Sequence, residues 1–155
     1  MIDPLATIIA DLTADGDLRA LTAGRVAGRH AFSMADTPAG ERGGWPTPAR
    51  ALTLTYAASG VPADTATCGG MHMLRLEARC YGADQPDAAR VWLALDAYCH
   101  AFQRRPVTLI DGTRALLFYV WPDGGPAANR DPDTRVDYLS LTVLAGVARD
   151  ALPEA

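Results

Sequence analysis

The sequence predicts an α+β domain, a mostly antiparallel sheet with two helices packed on it in the order α-β-β-β-α-β-β. Three observations carry that expectation. Residues 5–12 and 84–104 place apolar side chains at helical spacing, and residues 72–81 and 139–147 alternate with a period of two. Between them lie stretches broken by proline and glycine, which exclude regular structure. Helices and strands grouped in this way build a sheet with helices laid on it.

The first helix is marked by Asp3 as a cap, Pro4 at the first helical position, and Leu5, Ile8, Ile9 and Leu12 at i, i+3, i+4, i+7. Asp15-Gly16 stops it, and Asp17 to Leu21 adds one short turn before Gly24. Arg25 to Ala31 forms a first short strand, and residues 33–48, with Pro38, Gly40, Gly43, Gly44, Pro46 and Pro48, form a loop. Ala51 to Ala58 is the second strand, followed by a loop through Gly60, Pro62 and Gly69-Gly70. In the third strand His72, Leu74, Leu76, Ala78 and Cys80 alternate with Met73, Arg75, Glu77, Arg79 and Tyr81, so one face is apolar. These two strands read as an antiparallel hairpin.

Asp84-Gln85-Pro86-Asp87 opens the second helix, with Ala88, Val91, Leu95, Tyr98 and Phe102 as its buried stripe and Pro106 as its end. Thr108 to Ile110 and Arg114 to Trp121 form a hairpin around Asp111-Gly112. Ala115 to Trp121 is apolar on both faces, which places it centrally or against a partner. A loop over residues 122–134 leads to the last strand, whose Leu139, Leu141, Val143, Ala145 and Val147 share a face. Residues 1–150 are expected to form one domain and 151–155 a flexible tail.

The bulk numbers set further bounds. A chain of 155 residues, 49% hydrophobic and 21% charged, needs neither disulfide nor metal to fold. No apolar run reaches the roughly 20 residues of a membrane-spanning helix, and no positive charge precedes the first apolar stretch, so neither a membrane nor a secretory signal is expected. The formal net charge is −4, and all fourteen basic residues are arginines scattered along the chain. Specific nucleic-acid binding calls for a basic face, which this balance argues against. Cys68, Cys80 and Cys99 lack CxxC spacing and read as small apolar fillers.

Nothing in the sequence converges on catalysis. His30, His72 and His100 do not recur at ligand spacing, and the neighbours Cys99 and His100 diverge by about 100° around their helix. Most aspartates sit where caps and turns need them, and the glycine groups match no phosphate-binding loop. Glu77, flanked by Arg75 and Arg79, reads as a solvated or interfacial charge ladder rather than a general acid. No enzyme, cofactor or metal is expected. Trp45 in the first proline-rich loop and Trp121 at a strand end either fold back over the domain edge or anchor a partner, since tryptophan and arginine dominate interface energetics. Trp45, Arg75, Glu77, Arg79, Trp121 and Arg130, the last within the 122–134 loop, are the candidate interface residues.

The layout resembles the small tail-terminator and tail-completion proteins of long-tailed phages, including their relatives in gene transfer agents. The resemblance rests on the Asp3-Pro4-Leu5 helix running to Leu12, the Asp17 to Leu21 turn, and Gly24-Arg25-Val26 before a proline-rich loop. It continues through Leu76 to Gly82, the helix with Ala88-Ala89 and Leu93-Ala94, and Arg135 to Tyr138. It implies a virion structural protein of the tail or neck, assembled in the host cytoplasm as a hexameric ring. Such a ring caps the tail tube, ends its polymerisation and offers a surface to a head–tail connector or stopper protein, while DNA passes through the lumen without specific binding. A ring needs two unlike patches on each subunit, and residues 33–48, 59–70, 114–121 and 122–134 are the expected sources. Alternatives are another connector, stopper or tail-tube component, or, in a different class, a small α+β enzyme or ligand-binding domain with a pocket between helix 84–104 and the sheet.

Overall fold

A computed structural model describes residues 5–28, 50–57, 66–67, 71–109, 112, 114–130 and 137–148, without the side chains of residues 66, 67, 71 and 72. The fold is α+β, with three helices and seven strands among these residues. Helix α1 (Leu5–Ala14) buries Ile8 and Leu12, one turn apart on one face; the expected cap Asp3 and Pro4 lie outside the described residues. The two-helix expectation is corrected at Asp15. Its carboxylate accepts from the Leu18 N–H at 3.1 Å, so the residue that stops α1 also caps a separate helix, α2 (Gly16–Thr22). Ala23 (φ 52°) and Gly24 (φ 77°) end α2 in left-handed conformations.

Seven strands share one sheet: β1 (Val26–Gly28), β2 (Ala51–Tyr56), β3 (Ala66–Thr67), β4 (Met71–Gly82), β5 (Arg105–Thr108), β6 (Arg114–Arg130) and β7 (Asp137–Ala148). The order across it is β1-β2-β4-β7-β6-β5, with β3 paired to β4 beside β2. The sheet is mixed rather than mostly antiparallel, because β1 runs parallel to β2, with Val26 opposite Leu52. Parallel neighbours need a connection of about a dozen residues or more, and residues 29–50 separate these two strands in the sequence. The remaining pairs are antiparallel, including the expected β2–β4 pairing; β5 pairs with β6 as expected but runs over Arg105–Thr108 rather than Thr108 to Ile110.

Helix α3 (Gln85–Ala101) begins where expected. Asp84 accepts from the Asp87 N–H at 2.8 Å, and Asp87 reaches back to the Ala83 N–H at 3.1 Å. It ends before Pro106, because Phe102 already adopts an extended backbone (φ −63°, ψ 130°). Pro106 instead sits in β5, an edge strand, where its missing N–H costs no ladder bond. The expected loop at 122–134 is corrected too. Strand β6 continues to Arg130, and shifts in register between Leu117 and Tyr119 and between Asp123 and Ala127 absorb the extra residues. Gly124, at φ 89°, makes the second irregularity possible.

Helix α3 packs on β4, β7 and β6, while α1 and α2 cover the β1–β2 flank. One core results: Leu74, Leu76, Ala78 and Cys80 of β4 and Leu139, Leu141, Val143, Ala145 and Val147 of β7 meet Ala88, Val91, Leu95 and Cys99 of α3. Every second residue of both long strands therefore points toward α3, and the intervening ones face away from it.

Candidate functional site

The face of β4 turned from α3 carries Arg75, Glu77 and Arg79, so the sequence assigned these three to the correct side. They do not form one ladder. Arg79 Nε donates to Glu77 Oε1 at 2.6 Å, while Arg75 leans across β7 toward Asp123 of β6 at 3.8 Å. Register explains the split: Glu77 and Asp123 both lie opposite Thr142, and Arg75 lies two pairs along, opposite Leu144. Arg75 is half exposed, whereas Arg79 is largely covered.

Arg79 anchors a polar and aromatic row across β2, β4 and β7. Its guanidinium lies 5.0 Å from the Tyr138 ring, and the Tyr138 and Tyr81 rings stand 5.4 Å apart. Burial works against the Arg79 charge, but hydrogen bonds with Glu77 and Tyr81 more than offset it and hold the group above its ordinary value. Burial also pushes the Tyr81 phenol up, against hydrogen bonds from Arg79 and Thr53 that pull it down. Such a satisfied row fixes the sheet's local geometry and leaves no reactive group.

Trp121 is 47% exposed and lies in the same cross-strand row as Arg75, both opposite Leu144. Its ring meets His100 edge-on, 4.7 Å between centroids and 83° between planes, which ties the end of α3 to β6. Arg130 stands at the far end of β6, 3.8 Å from Asp137. The candidate residues are thus strung along the sheet, with Arg75 and Trp121 together and Arg130 apart. Trp45 lies outside the described residues, as does the His72 side chain.

Two open clefts flank the ends of α3, and neither lies between α3 and the sheet. One, about 500 Å³, is lined by Leu21, Arg25, Arg50, Ala83, Asp84, Pro86, Asp87 and Arg90. The other, about 420 Å³, is lined by Asp15, Tyr98 and Ala101 to Arg105. Beside the second, Asp11 of α1 accepts from the Tyr98 hydroxyl and pairs with Arg105 of β5. Burial and then Asp11 push the Tyr98 phenol well above its ordinary value, which keeps it a donor. Sequence reasoning missed this cluster. Its members are far apart in the chain, and the sequence reads Tyr98 as part of a buried stripe and, on the ligand-binding alternative, as a pocket residue with His72, not as a partner of Asp11.

Among the described residues no three His, Cys, Asp or Glu side chains are grouped to hold a metal, and no buried side-chain polar atom lacks a hydrogen bond. Cys80 and Cys99 are buried free thiols. Burial pushes Cys80 far up, and burial with a smaller contribution from Asp96 pushes Cys99 up to about 12, so neither is an activated nucleophile.

No family model matches the chain, and no curated protein does. Among solved structures, the fold is similar to that of a chain in the virion of a native gene transfer agent (GTA) particle. The TM-score is 0.50 at 18% identity, over 92% of this chain and 93% of that one. At this identity the likeness is one of fold.

Proposed function

We propose that the chain is a structural protein of a phage-like virion, working by assembly rather than catalysis, in the role of a tail terminator. The observation that carries this reading is the fold likeness to a chain of a gene transfer agent virion, which spans more than nine-tenths of both chains. The sheet supports it with a half-exposed tryptophan and a half-exposed arginine in one cross-strand row, residue types that dominate protein interfaces. In this role six copies close a ring on the tail tube. One ring face matches the tube subunit and the other does not, so tube growth stops and a connector or stopper protein meets the unmatched face. The net charge of −4 suits a lumen through which DNA slides without sticking.

The test is electron microscopy of particles made without this chain. Overlong or headless tails are the expected result, and normal tails joined to heads would overturn the reading. Labelling the chain in intact particles separates the finer roles: a single ring at the head-proximal tube end fits a terminator, label along the tube fits a tube subunit, and label inside the neck fits a connector or stopper. Native mass spectrometry at high concentration reads the ring size.

A further inference from the structure

Trp121 has a strand beside it on one side only. It stands midway along the regular stretch Tyr119 to Asp123, between the two register shifts of β6. Strand β5 pairs with β6 only as far as Leu117, so among the described residues no strand flanks Trp121 on the side away from β7. A large side chain at such an edge has little to fix its rotamer. Its one ring contact among the described residues is with His100, in the last turn of α3. The planes stand at 83°, the edge-to-face arrangement that aromatic rings prefer, so the contact has a direction as well as a distance. The imidazole is held in turn. Its Nε2 lies 3.4 Å from Asp96 Oδ2, one helical turn earlier, where helix spacing brings the two side chains together.

A chain of contacts thus runs from Asp96 through His100 to a half-exposed tryptophan on another element. Such a device has a use at a contact surface. A tryptophan free to turn loses that freedom when a partner closes on it, and the loss is subtracted from the affinity. A ring already fixed by its own chain avoids most of it. We infer that His100 is a positioning residue for assembly: held by Asp96, it fixes the Trp121 ring in the orientation in which a second copy of the chain meets it. This rests on the assembly reading above. It adds a residue of α3 that acts through Trp121 and needs no contact of its own with the neighbour.

Sedimentation velocity on full-length chains reads association, and thermal unfolding reads the fold of the same variants. His100→Ala is expected to weaken association roughly three- to tenfold. His100→Phe keeps an aromatic edge for the tryptophan and should stay within about twofold of wild type. A residue that acts through Trp121 has nothing left to hold once the ring is gone, so in a Trp121→Ala chain His100→Ala should weaken association no further. In chains labelled with fluorotryptophan, the fluorine resonance that Trp121→Ala removes should move toward that of the free amino acid in His100→Ala. Losses that add in the double variant put His100 in the contact itself and overturn the inference. So does a fluorine resonance that His100→Ala leaves in place, or association that falls only as far as the folded fraction does. If Trp121→Ala weakens association and His100→Ala does not, the inference alone falls. If Trp121→Ala leaves association intact, or wild type stays monomeric at millimolar concentration, the assembly surface is wrong and the inference falls with it.

Discussion

Gly146 and Gly82 are both buried, yet alanine meets different neighbours at each. A Cβ on Gly146 would stand 2.4 Å from the Tyr119 ring, the flexible end of a side chain, whereas one on Gly82 would stand 2.4 Å from the backbone nitrogen of Ala88. Gly146→Ala is expected to cost about 1–3 kcal/mol of stability, and Tyr119→Ala in the same chain should recover much of it, because the obstacle is removed. Gly82→Ala has no side chain to trim, so it displaces the first turn of α3, costs more, and finds no such rescue. Urea unfolding of Gly146→Ala, Tyr119→Ala, the two combined, and Gly82→Ala checks both statements. Tyr98→Phe removes the hydroxyl donor to Asp11 and is expected to cost about 1 kcal/mol by the same measurement, since Arg105 still holds the carboxylate oxygen that the hydroxyl leaves. These residues show where sequence reading stops. The strand that holds Gly146 was legible from its alternation, but the ring lying on Gly146 and the partner of Tyr98 come from elsewhere in the chain and leave no local trace.

The elements divide between those written in local pattern and those set by pairing. Strand β7 and the buried stripe of α3 were legible because each repeats its apolar residues with the period of its own geometry. The start of α3 was legible because Asp84 and Asp87 are spaced to cap it. Strand β6 was only half legible, since Gly124-Gly125-Pro126 is a turn signal that pairing with β7 turns into an irregularity within one strand. Strand β1 was legible within Arg25 to Ala31, but its parallel direction was not, because the three residues of a strand do not encode which way its neighbour runs. A pH prediction belongs to the α3 cap. Burial disfavours the Asp87 charge, but hydrogen bonds from Arg50 and the Ala83 N–H outweigh it and hold the carboxyl below its ordinary value. A group whose folded value is depressed contributes stability above its unfolded value and loses it as pH falls through the folded one. The stability lent by the Arg50–Asp87 cap is therefore intact at neutral pH and fades in acid, beginning near the ordinary carboxylate range. Asp87→Asn should lower Tm at neutral pH and flatten the acid limb of its pH profile. A variant whose profile runs parallel to wild type down to acid would sink this account.

At the scale of the whole molecule, the described candidate residues separate into those engaged within the sheet and those left about half exposed. Arg79 is engaged by Glu77, Tyr81 and Tyr138, and its side chain is only 17% exposed. Arg75 is 52% exposed, and its only ion pair among the described residues is a long one to a similarly exposed aspartate. Trp121 gives one ring edge to His100 and leaves almost half its surface to solvent. The sequence grouped these residues by strand position and side-chain type, which identified the face but not how each charge is spent. On the assembly reading the consequences differ in kind. Arg79→Ala strips the cation from two tyrosines and leaves Glu77 unpaired, so it should lower Tm by several degrees, with association reduced only as far as the fold is. Inside the chain Trp121→Ala loses the edge contact with His100, so its Tm should fall by less than that of Arg79→Ala. Because a tryptophan at an interface centre is worth about 2 kcal/mol or more when truncated, association should fall roughly thirtyfold. Arg75→Glu should behave like Trp121→Ala, with a loss that depends on salt. Thermal unfolding and sedimentation measured side by side keep the two effects apart. If Trp121→Ala loses stability as Arg79→Ala does and associates normally for its folded fraction, the tryptophan belongs to the domain's own edge, and the contact surface must be sought on another part of the sheet.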